Sequence, residues 1–108
     1  MKNIFFFLTV LLVFSCTKEN EEDDLPCDID NVDYTLTIKN IIDFKCISCH
    51  FDGNMNAPVL DNYAQVTGEI DSILLQINTN AMPPLGSPTL TECEKSQIQA
   101  WVDNGMIP

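Results

Sequence analysis

The sequence predicts an all-α domain, and three observations carry that expectation. Apolar residues recur three and four positions apart in separate stretches, helix start and stop signals flank those stretches, and no period-two alternation of useful length appears. At 108 residues the chain is long enough for one small domain.

The first element is an address rather than part of the fold. Lys2 precedes Ile4 to Phe14, an apolar stretch interrupted only by Thr9. A bilayer core needs roughly 20 apolar residues in a helix to cross it, so this shorter stretch is expected to be a secretory h-region. It ends in Val13-Phe14-Ser15-Cys16, which resembles the lipobox of bacterial lipoproteins, where a small residue precedes a cysteine that is diacylated and becomes the mature N-terminus. An ordinary leader with an incidental Cys16 is the alternative. Residues 1–15 are thus expected to be a lipoprotein signal peptide and Cys16 the lipidation site, holding the protein to a membrane. Thr17 to Asp24 contains five carboxylates and no apolar residue, so residues 16–26 read as an acidic, solvated tether. They are either a plain spacer or, by resemblance, a surface-export signal of some Gram-negative envelopes. The folded domain is expected over 27–108.

Within it, Asp33 to Lys45 carries Leu36, Ile38, Ile41, Ile42 and Phe44, of which Ile38, Ile41 and Ile42 share one helix face, with Asp33 or Thr35 as cap. Asp61 to Val66 reads as a short helical turn. Glu69 to Asn78 reads as a helix burying Ile70, Ile73, Leu74 and Ile77. Thr91-Glu92-Cys93-Glu94 forms a capping box, followed by a helix burying Ile98, Trp101 and Val102, which Gly105 stops where a left-handed residue is wanted. Gly53 to Pro58 and Ala81 to Pro88 are loops rich in Gly, Pro and Asn.

Charge narrows the partners. Five Lys+Arg, none of them arginine, stand against 16 Asp+Glu, for a formal net charge of -11. Nucleic-acid binding draws its affinity from clustered Lys and Arg, so no nucleic-acid partner is expected. A partner protein with a basic docking patch is.

Cys46-Ile47-Ser48-Cys49-His50 is the c-type haem attachment motif, C-x-x-C-H, and it contains the chain's single histidine. Two cysteines three apart on a helical turn project to one side, where each sulfur can add to a porphyrin vinyl group, and the histidine that follows falls beneath the ring. Three other readings stand beside it. A thioredoxin-like pair would follow a strand, a zinc site would need a fourth ligand, and a Cys46–Cys49 disulfide would close a strained short loop. For the sixth position on the iron, Met82, followed by Pro83 and Pro84 in an irregular loop, is the candidate. His/Met ligation raises a haem's reduction potential, and the prolines restrict the loop by fixing φ. The alternative is a core-filling methionine. Met55 is too near His50 to reach the opposite face easily, and Met106 lies beyond the last helix.

Carried by Cys46, Cys49, His50, the Met82-Pro83-Pro84 loop and the Glu92 to Asp103 helix, the chain resembles a small monohaem class I cytochrome c domain, similar to lipoprotein cytochromes of bacterial envelopes. The resemblance covers residues 27–108. It implies three to five helices around one covalently bound haem c, with His50 and Met82 as axial ligands and the first and last helices crossing to set Ile38 and Ile41 against Trp101. It also implies a proline whose carbonyl accepts from the imidazole, a role that Pro58 fits, although Pro58 reads equally as a plain loop residue. With Cys16 given to lipid and Cys46 and Cys49 to thioethers, Cys27 and Cys93 remain to form a disulfide outside the cytoplasm.

One-electron transfer is the activity this implies, with no catalytic residue, by a carrier or by the electron-accepting partner of a redox enzyme. The expected place is the bacterial cell envelope, lipid-anchored at the outer membrane, on its periplasmic side or at the cell surface. Two further readings remain open: a haem enzyme or gas sensor in which Met82 is displaced, and a non-haem interaction lipoprotein.

Overall fold

The computed structural model describes residues 26–108. The expectations for the leader, for Cys16 and for nearly all of the tether lie outside the described residues. Four α-helices follow in order: α1 (Lys39–Lys45), α2 (Tyr63–Gly68), α3 (Ile70–Asn78) and α4 (Glu92–Asp103), with a π-helical turn, Tyr34–Ile38, running directly into α1. No strand occurs among the described residues, so the all-α expectation holds for them.

Asp33 starts the first helical segment in extended conformation, its carboxylate accepting from the Leu36 N–H at 2.7 Å. The wide turn that follows lets the Ile38 N–H reach the Asp33 carbonyl, a register the sequence reading did not anticipate. Ile38, Ile41 and Ile42 are buried, whereas Leu36 and Phe44 are 72% and 77% exposed. Helical periodicity separates the two groups onto opposite faces.

The short helix expected over Asp61 to Val66 begins later and runs further. Asn62 is the cap, accepting from the Gln65 N–H, and the Gln65 side chain returns to the Asp61 N–H at 2.8 Å. In α3, Ile70 and Ile77 reach the core, whereas Ile73 and Leu74 are half-buried against it. At α4 the capping box is complete: the Thr91 hydroxyl accepts from the Glu94 N–H and Glu94 Oε2 accepts from the Thr91 N–H. The helix ends with the Gly105 N–H on the Val102 carbonyl and the Met106 N–H on the Trp101 carbonyl. Gly105 has φ +89°, which completes a Schellman ending.

The core joins these elements around Trp101, which is fully buried. Its ring centroid lies 6.0 Å from Tyr34 and 6.2 Å from Tyr63, and the two tyrosines meet edge-on at 5.4 Å. The residues after α4 close over this group. The Ile107 carbonyl accepts from the indole N–H of Trp101 at 2.8 Å and from the Tyr34 N–H at 2.9 Å, and the Tyr63 hydroxyl donates to the Met106 carbonyl at 2.7 Å. The start of the domain is fastened to α4 as well. Cys27 and Cys93 stand at disulfide distance, 2.06 Å between sulfurs, and the Gln97 amide donates to the Asp28 carbonyl at 3.0 Å.

Candidate functional site

The Cys46 to His50 segment continues the end of α1 as a hydrogen-bonded turn. The Cys46 and Ile47 N–H groups both return to the Ile42 carbonyl, and those of Cys49 and His50 to the Cys46 carbonyl. The buried Ile41–Ile42 pair therefore fixes where this turn leaves the core. Asn54 donates its side-chain amide to the Cys49 carbonyl, and the Leu60 N–H donates to the His50 carbonyl at 2.9 Å, so the loop after the histidine folds back beneath it.

That return brings Pro58 to His50. The Nδ1–H donates to the Pro58 carbonyl at 2.6 Å. A carbonyl can only accept, so the contact assigns the tautomer and leaves Nε2 with its lone pair free. Pro58 is more than a plain loop residue here.

Met82 approaches from α3. The N–H groups of Ala81 and Met82 both donate to the Gln76 carbonyl, at 2.9 and 3.1 Å, folding the loop against the end of that helix. Cys46, His50, Pro58, Ile73, Ile77 and Met82 line one cleft of about 340 Å³, which is predominantly apolar. A hollow of about 130 Å³ adjoins it, sharing Cys46, His50, Ile77 and Met82 and adding Cys49, Pro84 and Leu90. The larger volume falls within the roughly 300–1,000 Å³ of small-molecule sites. The structure thus gathers the two cysteines, His50, Pro58 and Met82, the last 32 residues after the histidine, around one apolar space. Met55, by contrast, is 97% exposed, and Met106 packs against the core.

Burial, with the nearby Glu94 carboxylate adding to it, pushes the Cys46 thiol up to about 11. A redox-active C-x-x-C pair needs the opposite shift. No three His, Cys, Asp or Glu side chains converge to hold a metal ion among the described residues. The donor set instead fits a planar, apolar, iron-bearing macrocycle: one imidazole with its outer nitrogen free, one thioether, two sulfurs on a single turn, and hydrocarbon walls.

Several lining residues were not legible beforehand. Leu60 is buried although it lies in a loop, and its signal is the Val59-Leu60 pair between Pro58 and Asp61. Ile73 faces the cleft, and nothing in helical spacing distinguishes that from core. Gln76 acts through its backbone carbonyl, which no side-chain pattern reports.

Comparison with protein-family models, curated proteins and solved structures finds no match to this chain. No helix among the described residues is long and apolar enough to cross a membrane.

Proposed function

We propose that the protein is a monohaem c-type cytochrome that transfers single electrons, with a cytochrome c fold, haem c attached through Cys46 and Cys49, and His50 and Met82 as axial ligands. The observation that carries this reading is the His50 imidazole, held through Nδ1 by Pro58 and facing an apolar cleft that Met82 also lines. A haem bound there would supply a reversible one-electron couple at its iron.

The chain's own residues do the rest. Pro58 fixes the imidazole's tautomer and raises its basicity at Nε2. Ile73, Ile77 and Leu60 exclude water from the cleft, and lower solvent access and dielectric tune a metal's potential. The Gln76 carbonyl holds the backbone of Met82, so its thioether can serve as a ligand without the loop reordering. With one histidine in the chain, no second imidazole serves as an acid or base beside the iron, which favours a carrier over a haem enzyme.

Cys16 as lipid anchor and an envelope location complete the proposal. A basic docking patch on the partner is supported by the charge layout. Each of the three lysines among the described residues is paired within the chain, Lys39 with Asp43, Lys45 with Glu94 and Lys95 with Glu92. The outward field is therefore that of the excess carboxylates.

Expression with a c-haem maturation system tests the reading. The expected result is haem staining that survives denaturing electrophoresis, an intact mass raised by one haem, and a far-red band from iron–sulfur ligation. Colourless protein at the mass of its amino acids and lipid refutes it. Ready carbon monoxide binding without the far-red band would favour the enzyme or sensor reading.

A further inference from the structure

Two lysines grip the Met82 loop at opposite ends. Lys95, on α4, donates to the Asn80 side-chain carbonyl at 3.2 Å, just before Met82, and is balanced by Glu92 at 3.1 Å. Lys45, the residue next to Cys46, donates to the Thr89 carbonyl at 2.9 Å, where the loop rejoins α4, with Glu94 at 3.7 Å. Glu94 is also the carboxylate of the α4 capping box. The end of α1, the start of α4 and both ends of the loop are thus linked by charge-assisted contacts. Both lysine side chains are about four-fifths buried, at 19% and 22% exposure. Contacts to charged donors at such positions are stronger than those of the open surface.

Between the two grips the loop is held by backbone bonds, from Ala81 and Met82 to Gln76 and from Ser87 to Pro84, but by little side-chain packing. Met82 is 41% exposed and Leu85 fully exposed, and Asn80 and Gly86 have φ of +57° and +89°. The loop's own sequence, rich in Pro and Gly, packs few apolar side chains inward.

Resting on the reading of Met82 as iron ligand, we infer that Lys45 and Lys95 are positioning residues for the sixth ligand: they set how often the Met82 sulfur leaves the iron. Lys95 lines neither hollow of the cleft, and Lys45 borders the smaller one at its edge beside Cys46. Their effect passes through Asn80 and Thr89 to the loop, and the apparent affinity of any competing ligand reports the fraction of time the position is open.

Imidazole binding to the oxidised haem protein, followed optically, tests this. Lys45→Ala and Lys95→Ala are each expected to raise imidazole affinity about tenfold, the scale of one charge-assisted hydrogen bond. Lys45→Arg and Lys95→Arg, which keep a cationic donor, are expected to restore it. Lys39→Ala removes a half-exposed ion pair with Asp43 on α1 that bonds neither Asn80 nor Thr89, and is expected to leave the affinity alone. Amide exchange at Ala81 and Met82, whose N–H groups bond Gln76, is expected to speed up in Lys95→Ala. Imidazole affinities within about twofold of wild type in both alanine variants would overturn the inference while leaving the haem reading intact. An equal rise in Lys39→Ala would overturn it as well, by showing a general loosening. Wild-type protein without covalent haem overturns the haem reading itself, and this inference with it.

Discussion

Trp101 holds the domain together, and replacing it separates two contributions. In Trp101→Phe the indole N–H is lost, but the Ile107 carbonyl keeps its bond from the Tyr34 N–H and is not left unsatisfied. The hydrogen-bond loss is then about 1 kcal/mol, the net value of an ordinary bond rather than the larger cost of an orphaned buried acceptor. The smaller ring leaves a void against Tyr34 and Tyr63, adding about 1–2 kcal/mol. A total of about 2–3 kcal/mol follows for Trp101→Phe. Trp101→Ala removes the ring contacts as well and should cost about 5 kcal/mol, a large part of the 5–15 kcal/mol by which domains are ordinarily stable. Because Trp101 is the chain's one tryptophan, urea unfolding should be followed by far-ultraviolet circular dichroism, not by intrinsic fluorescence. The expected outcome is a lower midpoint with an unchanged slope for Trp101→Phe, and a midpoint lowered about twice as far for Trp101→Ala. A Trp101→Phe midpoint equal to wild type would refute the assignment of α4 as the centre of the core.

Other outcomes follow from the same contacts. Replacing Cys27 and Cys93 together by alanine should cost about 4 kcal/mol by the loop-closure argument for a separation of 66, read from denaturant midpoints of the non-reduced proteins. Thr91→Ala should lose about 1 kcal/mol as the capping box opens, measurable the same way. Met82→Ala should abolish the far-red iron–sulfur band and admit carbon monoxide, and a retained band would show that Met82 is not the ligand. In the haem-free chain the Cys46 thiol, raised from 9.0 to about 11 by burial, keeps a proton that the unfolded chain releases. That contribution to stability is present below pH 9 and is lost as pH rises toward 11. Alkylation at pH 8 should accordingly modify the exposed Cys49 before Cys46. Electron transfer to a basic partner should slow as ionic strength rises, and a rate independent of salt would defeat electrostatic steering.

The parts of the fold that were legible are those set by local chemistry. The Thr91/Glu94 box and Gly105 mark both ends of α4 because capping and positive φ depend on a few neighbouring residues. The Cys46 to His50 spacing picked out residues that the structure places at the cleft, and the disulfide distance between Cys27 and Cys93 agrees with the pairing expected of them. Less visible were features decided by tertiary packing. The π-helical turn depends on where Ile38 must lie against the core. Helix α2 starts after Asn62 rather than at Asp61, with Asn62 as cap and the Gln65 side chain returned to the Asp61 N–H. Ile73 and Leu74 share the spacing of Ile70 and Ile77, yet Ile73 serves the cleft. Nothing in the local sequence marks Lys45 and Lys95, since their partners, Thr89 and Asn80, lie 44 and 15 residues away.

The Cys27–Cys93 bridge also decides how the molecule bears tension. A pull arriving through residues N-terminal to Cys27 is passed covalently to the first turn of α4 and on toward Pro108. The intervening stretch from Asp28 to Glu92, including both cysteines of the motif, His50 and Met82, is bypassed by that load path. A load applied between the residues before Cys27 and Pro108 would strain α4 and its closing turn before it reached the cleft that His50 and Met82 line.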